Sequence, residues 1–173
     1  MSDLREDVVN DRGAIKKLQL LFPGYHGYSV NEDLRDADIY LKSELYKKML
    51  GIIETLKQAE QALTSNGIFK NLERIGAVRS KIQAVAGEIK HHEAGYSGIS
   101  PPIRIGKEKI SALYDLDMKI YDGIVNLDSN VKNFLNSCIS GNLDISLLSA
   151  IENNIGDLKA LNDSRDRILY GGV

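Results

Sequence analysis

This 173-residue chain has one cysteine, three prolines and no long apolar run, and each scarcity excludes a kind of protein. A lone cysteine, Cys138, cannot form an internal disulfide, which fits a reducing compartment. No stretch of about 18 consecutive apolar residues occurs, so we expect no membrane-spanning helix. The first residues, MSDLREDVVNDRG, carry acids where a secretory signal needs basic and then apolar residues. The sequence therefore predicts a cytoplasmic protein.

An excess of charge of either sign is also missing. The formal net charge is -2, so no overall positive field attracts the chain to nucleic acid or to anionic lipid. The GYHGY stretch at 24–28 does not follow a strand, and no P-loop lysine accompanies it. We therefore expect no nucleic-acid partner and no cofactor.

The scarcity of proline favours long helices, because Pro23, Pro101 and Pro102 lie between the periodic segments and not inside them. Apolar residues recur every three or four positions in four segments. These segments lie at about 29–63, 68–93, 110–138 and 144–170. Short turns at 64–67 and 140–142 join the segments into two pairs, and a longer proline-containing crossover lies between the pairs. We predict an all-α fold, an antiparallel four-helix bundle made of two helical hairpins.

A short amphipathic helix at 13–22 is predicted ahead of the bundle. Its apolar residues are Ile15, Leu18 and Leu21. This gives an N-terminal arm at 1–22 and a single four-helix-bundle domain at 23–173. The first bundle helix begins near Ser29, which has capping-box spacing to Glu32, although Asn31 is an alternative cap. It ends before Gly67, a residue free to adopt a positive φ angle.

The third segment has the most regular spacing of the four, alternating three and four positions as in helices packed at a shallow angle. Its stripe comprises Ile110, Leu113, Asp117, Ile120, Ile124, Leu127, Val131, Phe134 and Cys138. Cys138 completes the stripe, so we interpret it as a buried apolar residue and not as a nucleophile. Asp117 is the polar exception, and Asp38 holds the same kind of position in the first segment. A carboxylate there is costly unless it is paired or hydrogen-bonded.

A glycine-tyrosine loop occurs twice, as PGYHGY at 23–28 and as GYSG at 95–98. Antiparallel hairpins place both loops, and the first turns of the helices that follow them, at one end of the bundle, which we call the glycine-tyrosine pole. Those turns also read alike, DLRDADIYL at 33–41 and LYDLDMKIYD at 113–122, which suggests the hypothesis of a duplicated hairpin. The candidate recognition residues at the pole are Tyr25, Tyr28, Glu32, Arg35, Asp38, Tyr96, Tyr114 and Asp117.

Two interpretations of this pole are open. In the first, the tyrosines fold back and close the end of the bundle, while the two acids hydrogen-bond the loops or reach solvent at the rim. In the second, Asp38 and Asp117 line a small polar pocket with Arg35 and the tyrosines, and one carboxylate has a perturbed pKa. The partners considered for the acids are Arg35, the tyrosine hydroxyls, the loop amides, or a cation that both acids share.

A metal site is a weaker hypothesis. Glu88 and His91 have the E-x-x-H spacing that places two ligands on one helical face, and His92 and His26 are predicted near the same end. A di-iron bundle needs a second such pair, which the sequence lacks. A histidine at the end of a helix is also a favourable partner of the helix dipole. We therefore assign no metal ligand and keep these four residues as candidates only.

The motifs PGYHGYSVNEDLRDAD, GYSG and LYDLD together resemble a family of small bacterial and archaeal helical proteins that has no assigned activity. Its typical pattern is PGYxGYxxxExxRxxD followed by GYSG and an LYxxD segment, and the resemblance covers most of the chain. It implies an all-helical fold with the boundaries given above. The chain departs from the family at Leu34, where members more often carry a basic residue, and at the paired His91 and His92. That departure argues against a metal role shared across the family.

The leading functional hypothesis is a non-enzymatic interaction or scaffold protein whose recognition surface is the glycine-tyrosine pole. Its partner is a protein of unspecified identity, and self-association is a further expectation. No catalytic residue is assigned. The alternative is a small-ligand-binding protein or enzyme that uses Asp38, Asp117, Arg35 and the tyrosines. A metal-binding bundle is the third hypothesis.

Overall fold

The computed structural model describes residues 4–28, 33–91 and 104–170, with side chains described from Gly13 onward, except that of His91. Within these residues the secondary structure consists of five α-helices without a strand, which confirms the predicted all-α class. The helices are α1 (Leu4–Leu21), α2 (Arg35–Ser65), α3 (Leu72–His91), α4 (Lys107–Ile139) and α5 (Ile145–Tyr170). The second glycine-tyrosine loop and the paired prolines of the crossover lie outside the described residues.

The first helix is longer than the sequence analysis predicted, because it begins at Leu4 and continues through Gly13. Its apolar face also differs from the prediction. Leu18 is buried as expected, but Leu21 is 37% exposed and the next residue, Phe22, is buried in its place. The ring of Phe22 meets the ring of Tyr121 edge to face, with centroids 5.7 Å apart. The predicted arm therefore packs into the same apolar core as the rest of the described chain.

The second helix begins at Arg35, later than the predicted start near Ser29. Leu34 occupies the N-cap position, and the Asp33 carboxylate accepts a hydrogen bond from the Arg35 amide at 3.2 Å. This local hydrogen bond competes with helix formation at Asp33, which gives a physical reason for the later start. Ser29, Asn31 and Glu32 lie outside the described residues, so the predicted capping box is not tested.

The turn between α2 and α3 contains the predicted left-handed glycine, since Gly67 has φ +71°. Helix α3 begins at Leu72 and not at the predicted Ile68. The reason is Asn71, which has φ 68° and so interrupts the helical backbone. Asparagine tolerates this region better than most residues because its short amide can hydrogen-bond locally. The predicted turn at 140–142 between α4 and α5 is also present, and its Gly141 has φ +73°.

Helix α4 corresponds to the third predicted segment. All nine residues of the predicted stripe are buried, Asp117 included, so the stripe is confirmed. For α5 the apolar spacing predicts burial of Leu148, Ile151, Ile155, Leu158, Leu161 and one of Ile168 and Leu169. This is confirmed for the first four and for Leu169, but Leu161 is only half-buried, and Asn162 and Arg165 face the core. Two polar residues therefore stand on the inner face of α5, one of them charged.

Helices α2, α3, α5 and α4 contact one another in a closed ring, and α1 packs on α4. Side-chain pairs give the helix directions. Arg79 of α3 meets Glu60 of α2, and Lys90 further along α3 lies 4.6 Å from the ring centroid of Tyr46. Residue numbers thus rise along α3 as they fall along α2, so these two helices are antiparallel.

Helices α4 and α5 are antiparallel for the same reason. Asp117 pairs with Arg165, while Asn130, later in α4, pairs with Asn154, earlier in α5. At the opposite end of the molecule from Arg165, the side-chain amide of Asn66 donates to the Cys138 carbonyl at 3.2 Å, so the C-terminal ends of α2 and α4 lie close together.

None of the described helices combines the length and the apolar character needed to cross a membrane.

Candidate functional site

Arg165 lies between Asp38 of α2 and Asp117 of α4, in the described part of the glycine-tyrosine pole. Its side chain is 1% exposed, its Nε contacts Asp117 Oδ1 at 2.5 Å, and its Nη2 contacts Asp38 Oδ1 at 2.5 Å. The structure therefore confirms that the two acids of the helical stripes lie at the same end of the molecule. Their shared partner is the guanidinium of Arg165 on α5, the last of the five described helices.

Lys42 adds a second base to this cluster. It lies one turn after Asp38 on α2, and its Nζ is 2.9 Å from Asp38 Oδ2 while its side chain is 2% exposed. The cluster of Asp38, Lys42, Asp117 and Arg165 thus contains two acids and two bases. Burying four charges is costly, but a balanced and hydrogen-bonded set recovers much of that cost, whereas an unpaired member would not.

Two tyrosines connect the first glycine-tyrosine loop to this charged cluster. The Tyr28 hydroxyl donates to Asp117 Oδ2 at 2.7 Å and accepts from Arg165 Nη2 at 2.9 Å. The Tyr28 amide in turn donates to the Tyr114 hydroxyl at 2.5 Å. Both the side chain and the backbone of Tyr28 are therefore fixed by helices that lie more than 80 residues away in sequence.

The loop itself requires glycine at two positions. Gly24 and Gly27 have φ angles of +96° and +83°, in the left-handed region that other residues rarely adopt. A Cβ atom on Gly27 would also lie 2.6 Å from the Tyr114 hydroxyl. The glycines thus allow the backbone to turn and, at Gly27, to approach the tyrosine that holds the loop.

The two acids have opposite pKa shifts. Burial alone would raise the pKa of Asp38, but the charges of Arg165 and Lys42 outweigh it and hold that pKa below its ordinary value. For Asp117 the effect of burial is larger than the opposing effects of Arg165 and Tyr28, so its pKa is raised. Burial and the Asp117 charge also raise the pKa of the Tyr28 hydroxyl well above its usual range.

The predicted residues of the pole do not all meet in this cluster. Tyr25 is buried and packs edge to face on Tyr28, with ring centroids 5.8 Å apart. Arg35, which was predicted to line a pocket with the acids, lies instead at the surface and pairs with Asp33. Arg35 lies in the first turn of α2, where the carboxylate of Asp33, two residues earlier, is close enough to pair with it at the surface. Glu32 and Tyr96 lie outside the described residues.

The residues of the metal hypothesis are not brought together in the described part of the chain. His26 is exposed in the first loop, and Glu88 forms an ion pair of 2.7 Å with Lys159 of α5. His92 and the side chain of His91 lie outside the described residues. Among the residues that the structure does describe, no group of three or more His, Cys, Asp or Glu side chains is placed to hold a metal ion.

A cleft with a volume of about 400 Å³ lies beside the charged cluster, in the described part of the pole. It lies between the first glycine-tyrosine loop and the start of α2. Its described lining residues are Gly24, Tyr25, His26, Gly27, Asp33, Leu34, Asp36, Ala37 and Tyr40. Neither Asp38 nor Asp117 lines it, so the cleft is separate from the buried charges.

Sequence reasoning missed Arg165 and Lys42. A signal for Arg165 was present, because counting onward from Ile155 and Leu158 in alternating steps of four and three reaches Asn162, Arg165 and Leu169. A basic residue on one stripe at the same end as acids on two others indicates an ion cluster. Lys42 follows Asp38 by four positions, a spacing that favours an ion pair on one helical face.

Comparison with known proteins gives no match for this chain to a family model, to a curated protein or to a solved structure. The resemblance to the small helical family therefore stays a prediction. A function for this chain has to be inferred from its own geometry.

Proposed function

We propose that α2 to α5 form an antiparallel four-helix bundle with α1 as an arm on α4, and that the protein is a non-catalytic interaction protein of the cytoplasm. Its recognition surface is the glycine-tyrosine pole. The ring of contacts among α2, α3, α5 and α4 supports the bundle. The buried Cys138 is consistent with a reducing compartment.

One observation carries the functional proposal: the titratable groups of the pole are buried and paired with one another. Asp38, Asp117 and Arg165 are each at most 1% exposed. A general acid or base has to reach the proton that it moves, and these three side chains are almost fully shielded from solvent. The cluster therefore supports the loop above it, and the outer face of that loop is available for recognition.

The enzyme hypothesis and the ligand-pocket hypothesis are less well supported by the same geometry. The polar pocket was proposed to contain Asp38 and Asp117, and the cleft of the pole is lined by neither of them. Self-association is the second form of the proposal, in which a second copy of the chain binds the pole.

The proposal is tested with a pair of charge-reversal variants of the full chain. Asp36→Lys changes an exposed residue of the cleft, and Asp157→Lys makes the same change at an exposed position in the middle of α5. Circular dichroism checks that both variants are folded. Each protein is then used to capture partners from the lysate of its source cell, and sedimentation of the purified protein detects self-association.

We expect Asp36→Lys to lose the specific partner, or the second copy, that the unmodified protein and Asp157→Lys retain. Equal capture by all three proteins would contradict the pole as the recognition surface. Turnover of a substrate that depends on Asp117 would contradict the non-catalytic assignment.

A further inference from the structure

The cleft of the pole has the size of a site for one or a few side chains. Its volume is about 400 Å³, within the range of small-molecule sites. Two aromatic residues, Tyr25 and Tyr40, contribute to its walls. The Tyr40 hydroxyl already donates to the Pro23 carbonyl, so what Tyr40 offers to an incoming group is mainly the surface of its ring.

The described lining residues of the cleft carry a net negative charge, even though Arg35 at the rim offsets the charge of Asp33. Asp33 and Asp36 are among the described lining residues, and those residues include no lysine and no arginine. The buried Asp38 adds little to this field because Lys42 and Arg165 neutralise it from below. Carboxylates beside an aromatic ring favour a cation with an apolar or planar body, as in the recognition of guanidinium and ammonium groups.

Arg35 gives an internal example of this chemistry at the rim of the cleft. Its Nε donates to Asp33 Oδ2 at 2.6 Å, so a guanidinium is already held by one carboxylate of the lining. The pair is partly exposed, with the two side chains 29% and 32% accessible. Exposed ion pairs exchange partners readily because each is worth little against water. A guanidinium from another molecule can therefore compete for Asp33 and bind Asp36 as well.

The cleft is also preformed on the side of the loop. Tyr28 and Tyr114 fix the loop to the charged cluster through hydrogen bonds of 2.5 and 2.7 Å. A wall that is rigid before binding loses less conformational entropy when a ligand arrives.

From these observations we infer that the cleft binds a basic side chain, an arginine or a lysine, presented by the protein partner. This inference rests on the proposed function and specifies the chemistry of its recognition surface. The guanidinium or ammonium group lies against the ring of Tyr40 and pairs with Asp36, while Asp33 exchanges between Arg35 and the incoming cation.

The test is a titration of the full ¹⁵N-labelled chain with N-acetyl-arginine N-methylamide, followed by amide chemical shifts. The matched probe is the citrulline analogue, which has nearly the same shape but no charge. We expect the arginine probe to shift amides at 24–27 and 33–40. Asp36→Asn should weaken this binding by about two- to five-fold, the loss of one exposed ion pair. Asp157→Asn, an exposed acid on α5, should leave it unchanged.

Equal shifts from the citrulline probe would overturn the inference while leaving the pole as a recognition surface for uncharged groups. Shifts that follow acidic residues over the whole surface, with equal binding to Asp36→Asn and Asp157→Asn, would reduce the effect to unspecific charge and overturn it too. The outcome of the capture experiment is independent of this titration, because that experiment tests only whether the partner requires this face of the protein.

Discussion

At the scale of single residues, Arg165 connects two helices and a loop that are distant in sequence. It contacts Asp38 of α2, Asp117 of α4 and the hydroxyl of Tyr28. Burial alone would lower its pKa, but the carboxylates of Asp117 and Asp38 outweigh that effect and raise the pKa well above its ordinary value. Arg165 is therefore a permanent cation that fixes the positions of both acids.

Removing this cation should be far more harmful than removing an exposed one. Arg165→Met leaves two buried acids with Lys42 as the remaining base, and we expect it to lower the free energy of unfolding by about 3–5 kcal/mol. Arg74→Met is the control, because Arg74 also bridges two helices, through Glu152, but is 38% exposed. Its cost should stay within about 1 kcal/mol. Urea unfolding measures both, and equal costs would contradict a structural role for the buried pairs.

A second residue prediction concerns Gly27. Gly27→Ala places a Cβ 2.6 Å from the Tyr114 hydroxyl at a φ angle of +83°, and we expect it to lower the free energy of unfolding by about 1–3 kcal/mol. Gly51→Ala is the control, since Gly51 lies within α2 with open space at its Cβ. That change should stabilise the protein by up to about 1 kcal/mol. The midpoint temperatures of thermal unfolding of the two variants should therefore shift in opposite directions. A shift in the same direction would contradict the steric strain expected at position 27.

At the scale of elements, the helices were predicted more accurately than their ends. The 3.6-residue period of α4 depends on many residues at once, so one polar member such as Asp117 does not obscure it. The ends depend on single local interactions. Asp33 sets the start of α2 and Asn71 sets the start of α3, and neither residue stands out in a pattern of apolar spacing.

The first helix provides the test of element packing. If residues 1–22 were a detachable arm, Phe22→Ala would cost little. Because Phe22 is 1% exposed and contacts Tyr121, we expect the substitution to lower the free energy of unfolding by about 3–5 kcal/mol. Leu20→Ala, at a position 83% exposed, should change it by less than about 0.5 kcal/mol. Chemical unfolding distinguishes the two, and a negligible cost for Phe22→Ala would contradict the packing of the first helix into the core.

At the scale of the whole molecule, the sequence was sufficient to place the two acids together but not to identify what joins them. Helix directions follow from the order of short turns and long helices, which is a global property of the chain. The rotation of α5 about its own axis does not follow from that order. If Leu161 faced the core in place of Asn162, a different set of α5 residues would be buried. The half-buried side chains of Leu161 and Ile168 make that choice ambiguous in sequence. The partner of Asp38 and Asp117 therefore required the three-dimensional structure.

The opposite pKa shifts of the two acids predict a pH dependence of stability. The folded pKa of Asp38 is lowered, so its contribution is present above its unfolded pKa of about 3.9 and is lost as the pH falls through the folded value. The folded pKa of Asp117 is raised, so its contribution is present below the unfolded value and is lost as the pH rises.

Urea unfolding from about pH 2.5 to pH 7 separates the two contributions. Relative to the unmodified protein, Asp38→Asn should show a smaller rise in stability from acid to neutral pH. Asp117→Asn should show a larger one. Variants whose curves run parallel to that of the unmodified protein would show that neither carboxyl has a shifted pKa.

The burial of Arg165 is the claim on which the supporting role of the pole depends, and its Nε proton reports on it directly. Hydrogen exchange of that proton with water, followed by NMR in the full chain at neutral pH, should be much slower than for the exposed Arg74. Slow exchange that becomes rapid in Asp117→Asn is the predicted result. Exchange as fast as that of Arg74 in the unmodified protein would mean that the guanidinium is open to solvent, and would contradict the sealed cluster.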